Sequence, residues 1–419
     1  METYANILMV ASPIFFIFVM AEKLYGYYFK NDSFKSMDII SSLSSGFTNA
    51  LKDVLGLSVS LITYQWLESR VAFLDIPFTW LNVFIAFMAL DFAGYWGHRL
   101  NHYNNFFWNQ HIIHHSSEEF NLACALRQSI SNFVNFFTIF LIPAAILGVD
   151  FQIIAIIAPI HLFAQFWYHT IYIGKMGFWE NIIVTPSHHR VHHAINPVYI
   201  DKNHGQIFIF WDRLFGTFQE ELATEPPVYG ITVPVRTWNP IKINFQHIWQ
   251  MILDTFRTQT WADKLKIWYG KTGFRPNDVI ERYPIFKIDE PHNYKKYYPQ
   301  ISSFLAYWSW VHFSLTFGFL MHFYSIFGEA NFSSLLYYGL FIMACIYCFT
   351  ELMDRNPMTF WYEAVKNSFG IYLYFGYSNW FNIPYSLNFF VLTYFVVSTL
   401  LSFYFCKVEF KGHIAAVNN

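Results

Sequence analysis

A chain of 419 residues that is 55% hydrophobic, 22% aromatic and only 13% charged carries about half the charge of an ordinary soluble domain. With 49 Phe, 28 Tyr, 15 Trp and a mean hydropathy of +0.27, it reads as an all-α polytopic membrane protein of about 8–9 transmembrane helices with a histidine-rich helical cap. A net charge of −2 gives no basic field for nucleic acid, and four cysteines are too few for a disulfide framework.

Spanning helices need about 20 mostly apolar residues. Such runs occur at 5–21, 43–65, 78–97, 132–149, 151–169, 302–327, 333–352 and 383–406. The first lacks a basic leader and is followed by Glu22-Lys23 rather than a small-residue cleavage site, so it is expected to be a retained anchor. Gly148-Val149-Asp150 joins 132–149 to 151–169 and allows only a tight turn, which predicts an antiparallel hairpin.

Between 170 and 300 the apolar runs break up, and Pro226-Pro227, Pro234 and Pro240 mark irregular backbone. The stretch Lys242 to Arg282 interleaves Trp249, Phe256, Trp261 and Trp268 with Lys264, Lys266 and Lys271. It is either a solvated helical face or an interfacial segment on anionic lipid. The excess of Lys and Arg puts residues 98–131 and 170–300 on the cytoplasmic side. Cys345-x-x-Cys348 lies within an apolar run and reads as a buried core pair. Segment 366–382 is aromatic but interrupted by Gly and Asn, so re-entrant, interfacial and ninth-span placements stay open, as does the side of the C-terminus.

Of the 17 histidines, eleven lie between His98 and His193. His98 and His102 form H-x-x-x-H; His111, His114 and His115 form H-x-x-H-H; Gln165 and His169 form Q-x-x-x-H; His188, His189, His192 and His193 form H-H-x-x-H-H. Residues at i, i+3 and i+4 share one helix face, so each cluster can aim several imidazoles at one point. A single H-x-x-x-H is more often two core residues than a ligand pair. Several clusters at the same ends of successive apolar segments reverse that judgement, because polar side chains at membrane depth are costly and rarely idle.

Imidazole suits iron, zinc, copper and nickel, and a structural zinc site closes at four ligands. His98, His102, His111, His114, His115, His169, His189, His192 and His193 are too many for one metal and suit two. His188 is either a ligand or a supporting group, His161 a core or substrate-channel residue, and His204 a further ligand or a plain loop histidine. His413 lies outside the clusters and is expected to have no part in metal binding. The metalloprotease H-E-x-x-H, the esterase G-x-S-x-G and the phosphate-binding glycine loops are all absent. A zinc- or proton-transporting protein is the non-enzymatic alternative.

The clusters, with His114-His115-Ser116-Ser117-Glu118-Glu119-Phe120, the run Asn181 through His193 and the string Phe210-Trp211-Asp212-Arg213-Leu214-Phe215-Gly216, resemble the membrane fatty acid hydroxylase/sterol desaturase superfamily and most closely its ether-lipid-cleaving branch. The resemblance is specific from about 88 to 220 and looser beyond. It implies a di-iron core at 78–220, between N-terminal transmembrane helices (1–77), a cytoplasmic amphipathic and loop region (221–300) and C-terminal transmembrane helices (301–419).

It also implies two iron ions, O2 and a lipid substrate, with electrons from an external donor such as tetrahydrobiopterin. The reaction implied is hydroxylation next to the ether bond of an alkylglycerol, with release of a fatty aldehyde. Hydroxylation or desaturation of an acyl chain, sterol or carotenoid is the alternative within the superfamily. One position departs from the animal members of the branch, which carry glutamate directly after H-x-x-x-H where this chain has Tyr103. Glu118 and Asp212 are expected to orient ligating imidazoles through the other ring nitrogen, and Arg127 to anchor a headgroup or reductant.

Overall fold

The computed structural model describes residues 2–32, 35–60, 62–74, 79–135 and 137–410, so His413 lies outside the described residues. Among the described residues the regular structure is helical apart from one parallel pairing of two residues with two, Val59–Ser60 against Val134–Asn135, and two isolated antiparallel bridges, Ile183 with Phe208 and Ala194 with Tyr229. It divides into two compact units. One comprises Met1–Leu57, Arg236–Ile243 and Tyr297–Asn419, and the other Ser58–Val235 and Asn244–Lys296.

In the first unit, Glu2–Phe29, Phe332–Met353 and Tyr385–Glu409 are long and apolar enough to cross a membrane. At 1.5 Å per residue, the 22 residues of Phe332–Met353 reach roughly the 30 Å of a hydrocarbon core. Their starts are written locally: Asn331 accepts from the Ser334 N–H, and Ser302 caps the 23-residue helix Ser303–Ser325 by accepting from the Leu305 N–H. Segment 366–382 is helix as well, divided between Thr359–Gly376 and Ser378–Asn382.

The run expected at 43–65 behaves differently. Its helix is Ser36–Val54, and the chain turns at Gly56, with φ of 65°, before the short strand at Val59. Ser41, Ser42, Ser44 and Ser45 are all buried there. The helix therefore packs a small polar face inward, which a hydropathy window cannot anticipate.

The second unit is organised by the helix Trp80–Tyr103, started by Thr79, whose side chain accepts from the Asn82 N–H. Its apolar residues Ala86, Leu90 and Ala93 pack with Leu141, Val149, Ile153 and Ile157 of the hairpin. The expected tight turn is present. Gly148 has a φ of 72°, and a Cβ there would fall 1.7 Å from the Leu74 carbonyl oxygen, so only glycine fits. The hairpin arms are shorter than expected, with helical residues Phe137–Ile146 and Phe151–Phe163 only. Neither reaches the length a span requires. The first arm is a 3-10 turn followed by a short helix opened by Pro143, and the second carries Pro159 within it.

Candidate metal centre

The helix Trp80–Tyr103 runs past the expected end of its apolar run, and that extension carries His98 and His102 one turn apart. Asn104 then ends the helix and restarts the chain, its side chain accepting from the Phe106 and Phe107 N–H groups. The short helices Asn105–Trp108 and Ile112–His115 follow, bringing in His111, His114 and His115. Pro186–His192 opens with Pro186 and a capping box between Thr185 and His188, and presents His189, His192 and His193.

All nine spaced histidines converge, in two groups whose ligand atoms lie within 4.8 Å of one another: His98, His102, His111, His115 and His192 in one, His114, His169, His189 and His193 in the other. The groups adjoin, with the His115 and His193 rings stacked at 4.3 Å.

The outer ring nitrogens fix the tautomers. Nδ1 of His98 donates to the His204 carbonyl at 2.9 Å, Nδ1 of His192 to the Lys202 carbonyl at 2.9 Å, and Nδ1 of His169 to the Gln165 carbonyl at 3.0 Å. A carbonyl only accepts, so in each neutral ring Nε2 is a bare lone pair. Those lone pairs face other imidazoles. Nε2 of His111 stands 2.9 Å from Nε2 of His98 and 3.0 Å from that of His115. Nε2 of His189 stands 2.8 Å from Nε2 of His169 and 3.0 Å from that of His193. One N–H can serve only one neighbour, and Nε2 of His192 is buried with no partner.

Such spacings are those of ligand atoms around a common cation, since metal–nitrogen bonds of about 2.1 Å put adjacent ligands roughly 3.0–3.4 Å apart. Burial, with the neighbouring imidazoles second, pushes His111, His114, His115, His189, His192 and His193 well below the ordinary imidazole value. They are therefore neutral, as a metal ligand must be. The donor set fits two metal ions.

The remaining site residues lie outside the two groups. His188 belongs to the capping box, and His161 bonds the Asp91 carboxylate at 2.9 Å. His204 rests its Nε2 on the Asp201 carbonyl at 3.1 Å, with its ring 5.0 Å from that of His102 and its buried Nδ1 without a hydrogen-bond partner. None of the three is in either group. Asp212 does not meet an imidazole through the contacts described. Its buried carboxylate accepts from the His204 and Gly205 N–H groups, both at 2.7 Å, and from the Thr217 hydroxyl at 2.6 Å. Burial pushes that carboxyl up to about 6, against the pull of those three donors. Asp212 thus holds the loop whose carbonyls clamp His98 and His192. Glu118 accepts from the Tyr294 hydroxyl at 2.9 Å, and the buried Arg127 donates to Ser116 Oγ at 2.8 Å, beside His115.

Two supporting groups were not anticipated. Asp91, the one acid in Trp80–Tyr103, is fully buried and takes the His161 ring, the Ile207 and Phe208 N–H groups and the Trp211 indole N–H. An acid in an apolar helix, two turns before His98, was its available signal. The carbonyls of Lys202 and His204 gave none, because a backbone oxygen has no side-chain signature. Asp201 and Asn203 on either side adopt positive φ.

Residues 83–217 match the fatty acid hydroxylase family. The chain is 32% identical to the alkylglycerol monooxygenase of Xenopus tropicalis over 370 residues, 85% of this chain and 79% of that protein. It is 36% identical to the alkylglycerol monooxygenase of Homo sapiens over 271 residues, 64% of this chain and 59% of that one. For Danio rerio the figures are 35% over 297 residues, 68% and 64%. The matched stretch thus spans less than two thirds of the human and zebrafish proteins. No solved structure matches the chain. The likeness to the Xenopus protein runs along most of both chains, and on that footing this chain belongs to the fatty acid hydroxylase family and is similar to its alkylglycerol monooxygenases.

Proposed function

We propose that the chain is a membrane di-iron monooxygenase that uses O2 to hydroxylate the carbon next to the ether oxygen of an alkylglycerol lipid. The hydroxylated product is a hemiacetal, which separates into a fatty aldehyde and a glycerol. The observation that carries this reading is the pair of adjoining groups of imidazoles whose Nε2 atoms face one another. In it His98, His102, His111, His115 and His192 hold one iron, and His114, His169, His189 and His193 the other. Iron supplies the redox chemistry for O2 that zinc lacks.

The chain's own part is to keep those rings oriented and packed. The Lys202 and His204 carbonyls hold the imidazoles by Nδ1–H, and Asp212 anchors that loop through its backbone N–H groups. Asp91 secures the segment after it. Phe120 packs on His193 at 5.2 Å and Trp108 on His102 at 5.1 Å, excluding water from both groups. Glu118 and Arg127 act as positioning residues on the 116–127 segment beside His114 and His115. The centre faces the cytoplasm, the lipid tail stays in the bilayer, and tetrahydrobiopterin or another external donor brings the electrons.

The test is purification with metal quantification, followed by incubation with an alkylglycerol and tetrahydrobiopterin. About two irons per chain and a released fatty aldehyde are expected. A hydroxylated but intact lipid would move the chain to another reaction of the family, and zinc in place of iron would overturn the monooxygenase reading.

A further inference from the structure

Two helices leave an aromatic stripe uncovered in the part of them that belongs to the second unit. On Pro240–Arg257, Trp249 and Phe256 stand exposed two turns apart, and on Trp261–Tyr269, Trp261, Leu265 and Tyr269 are exposed at successive i, i+4 positions. Trp261 and Phe256 are each 79% exposed, far more than a water-facing surface usually concedes to rings of that size. Lys264, Lys266 and Lys271 lie beside the stripe, and among the described residues no carboxylate pairs with them. Lys264 stands over the Trp261 ring at 5.3 Å and Lys266 over the Phe274 ring at 4.5 Å.

The opposite side of these helices is tied to the ligand-bearing chain. Asn105 donates from Nδ2 to the Ile267 carbonyl at 2.7 Å and from its backbone to the Gly270 carbonyl at 2.9 Å. Asn104 donates to the Tyr269 carbonyl at 3.0 Å, the His247 ring to the Asn105 carbonyl at 2.9 Å, and the Thr272 hydroxyl to the carbonyl of His102 itself.

We propose that these two helices lie in the plane of a bilayer surface, with the Trp249–Phe256 and Trp261–Leu265–Tyr269 faces among the headgroups of anionic phospholipid, and that their bonds to residues 102–105 seat the histidine centre at the headgroup boundary. Indole and phenol rings flanked by lysine are the composition of the bilayer–water interface, where the rings bury their apolar bodies and the ammonium groups reach lipid phosphate. The chain also carries three helices able to cross a membrane, so a bilayer is a partner it already has, and the positive charge of the stripe selects anionic lipid over a zwitterionic surface.

The surface contact does not depend on the proposed reaction, and its test reads no activity. All four native cysteines are buried, so the full chain in lipid nanodiscs can be spin-labelled selectively at Trp261→Cys, at Leu265→Cys and at the exposed Glu281→Cys as a reference. Labels at 261 and 265 are expected to collide more with oxygen, which partitions into lipid, than with a water-soluble nickel chelate, and the label at 281 to do the reverse. Adding phosphatidylserine to phosphatidylcholine discs should raise the oxygen-to-nickel ratio at 265, and the K264E/K266E pair should abolish that increase. A nickel-dominated signal at 261 and 265 would show a face open to water. Shielding from both reagents would show a protein partner or second copy there, and either result overturns the proposal. A ratio at 265 unmoved by phosphatidylserine overturns the choice of anionic lipid.

Discussion

The nine imidazoles and the His312–Glu363–Lys366–Tyr394 cluster of the other unit are both buried polar sites, yet they are built on opposite principles. In the second cluster charge is cancelled from within. Lys366 Nζ lies 2.6 Å from Glu363 Oε2 and donates to the Tyr394 hydroxyl at 2.8 Å, and that hydroxyl also meets His312 Nε2 at 2.8 Å. Among the histidine groups the rings meet one another instead: Nε2 faces Nε2, and the carboxylate of the partly exposed Asp201 comes no nearer than 3.5 Å, at His102 Nδ1. A buried site whose opposite charges pair holds helices together even with Glu363 Oε1 and His312 Nδ1 left without a hydrogen-bond partner, whereas one in which ring nitrogens crowd together is arranged for a cation.

The strongest way to break that contrast is at the ligands. His192→Ala removes a ring whose Nε2 has no protein partner, and His114→Ala one from the other group. Each should abolish activity and lower iron from about two per chain towards one, measured by elemental analysis of the purified protein. Full activity with native iron content in either variant would defeat the ligand assignment.

The opposite signature belongs to Lys366→Met. It strands Glu363 as an unpaired buried carboxylate, and breaking such a pair typically costs 3–5 kcal/mol. Thermal unfolding in detergent should show a large fall in stability, with iron per folded chain unchanged. Pairing the change with Glu363→Gln should recover most of the loss. If iron fell in parallel with stability, the two sites would not be distinct in kind.

How far the histidine site could be foreseen follows from the same distinction. The convergence of His98 with His102, or of His189 with His192 and His193, is written in i, i+3 and i+4 spacing. The partners that hold them are not, because they act through the backbone: the carbonyls of Lys202 and His204, and Asp212 reaching N–H groups rather than a ring. The long helices Phe332–Met353 and Tyr385–Glu409 were legible from hydropathy. The Ser36–Val54 boundary was not, because its buried serines are polar by composition and core by packing. The short hairpin arms were also missed, since an apolar run records burial without saying whether helix persists through Pro143 and Pro159.

Asp212→Asn tests this backbone-held layer. The amide keeps one acceptor but turns an N–H2 towards backbone donors, so the loop that clamps His98 and His192 loses a bond. Metal affinity should drop by about 10–100-fold, the usual effect of losing a supporting partner, with stability reduced by only about 1–3 kcal/mol. The loss should fall on the His98–His192 group and spare the other, which competitive chelation would resolve as one weakened and one native iron.

The smallest effect is expected at Glu118, and its size decides what that residue does. Its described bond runs outward, to the Tyr294 hydroxyl, while the neighbouring Glu119 pairs with Lys296 at 3.0 Å. Together they fasten the 291–296 segment over the chain that leads from His115 to Phe120. Glu118→Gln keeps an acceptor for Tyr294 and removes only the charge, so stability should change by about 1 kcal/mol or less and iron content not at all. Tyr294→Phe should match it, because both variants weaken the same bond. A tenfold loss of iron in Glu118→Gln, with Tyr294→Phe unaffected, would show that the carboxylate charge acts on the imidazoles rather than on the strap. Glu118 would then belong with Asp212 among the groups that hold the centre.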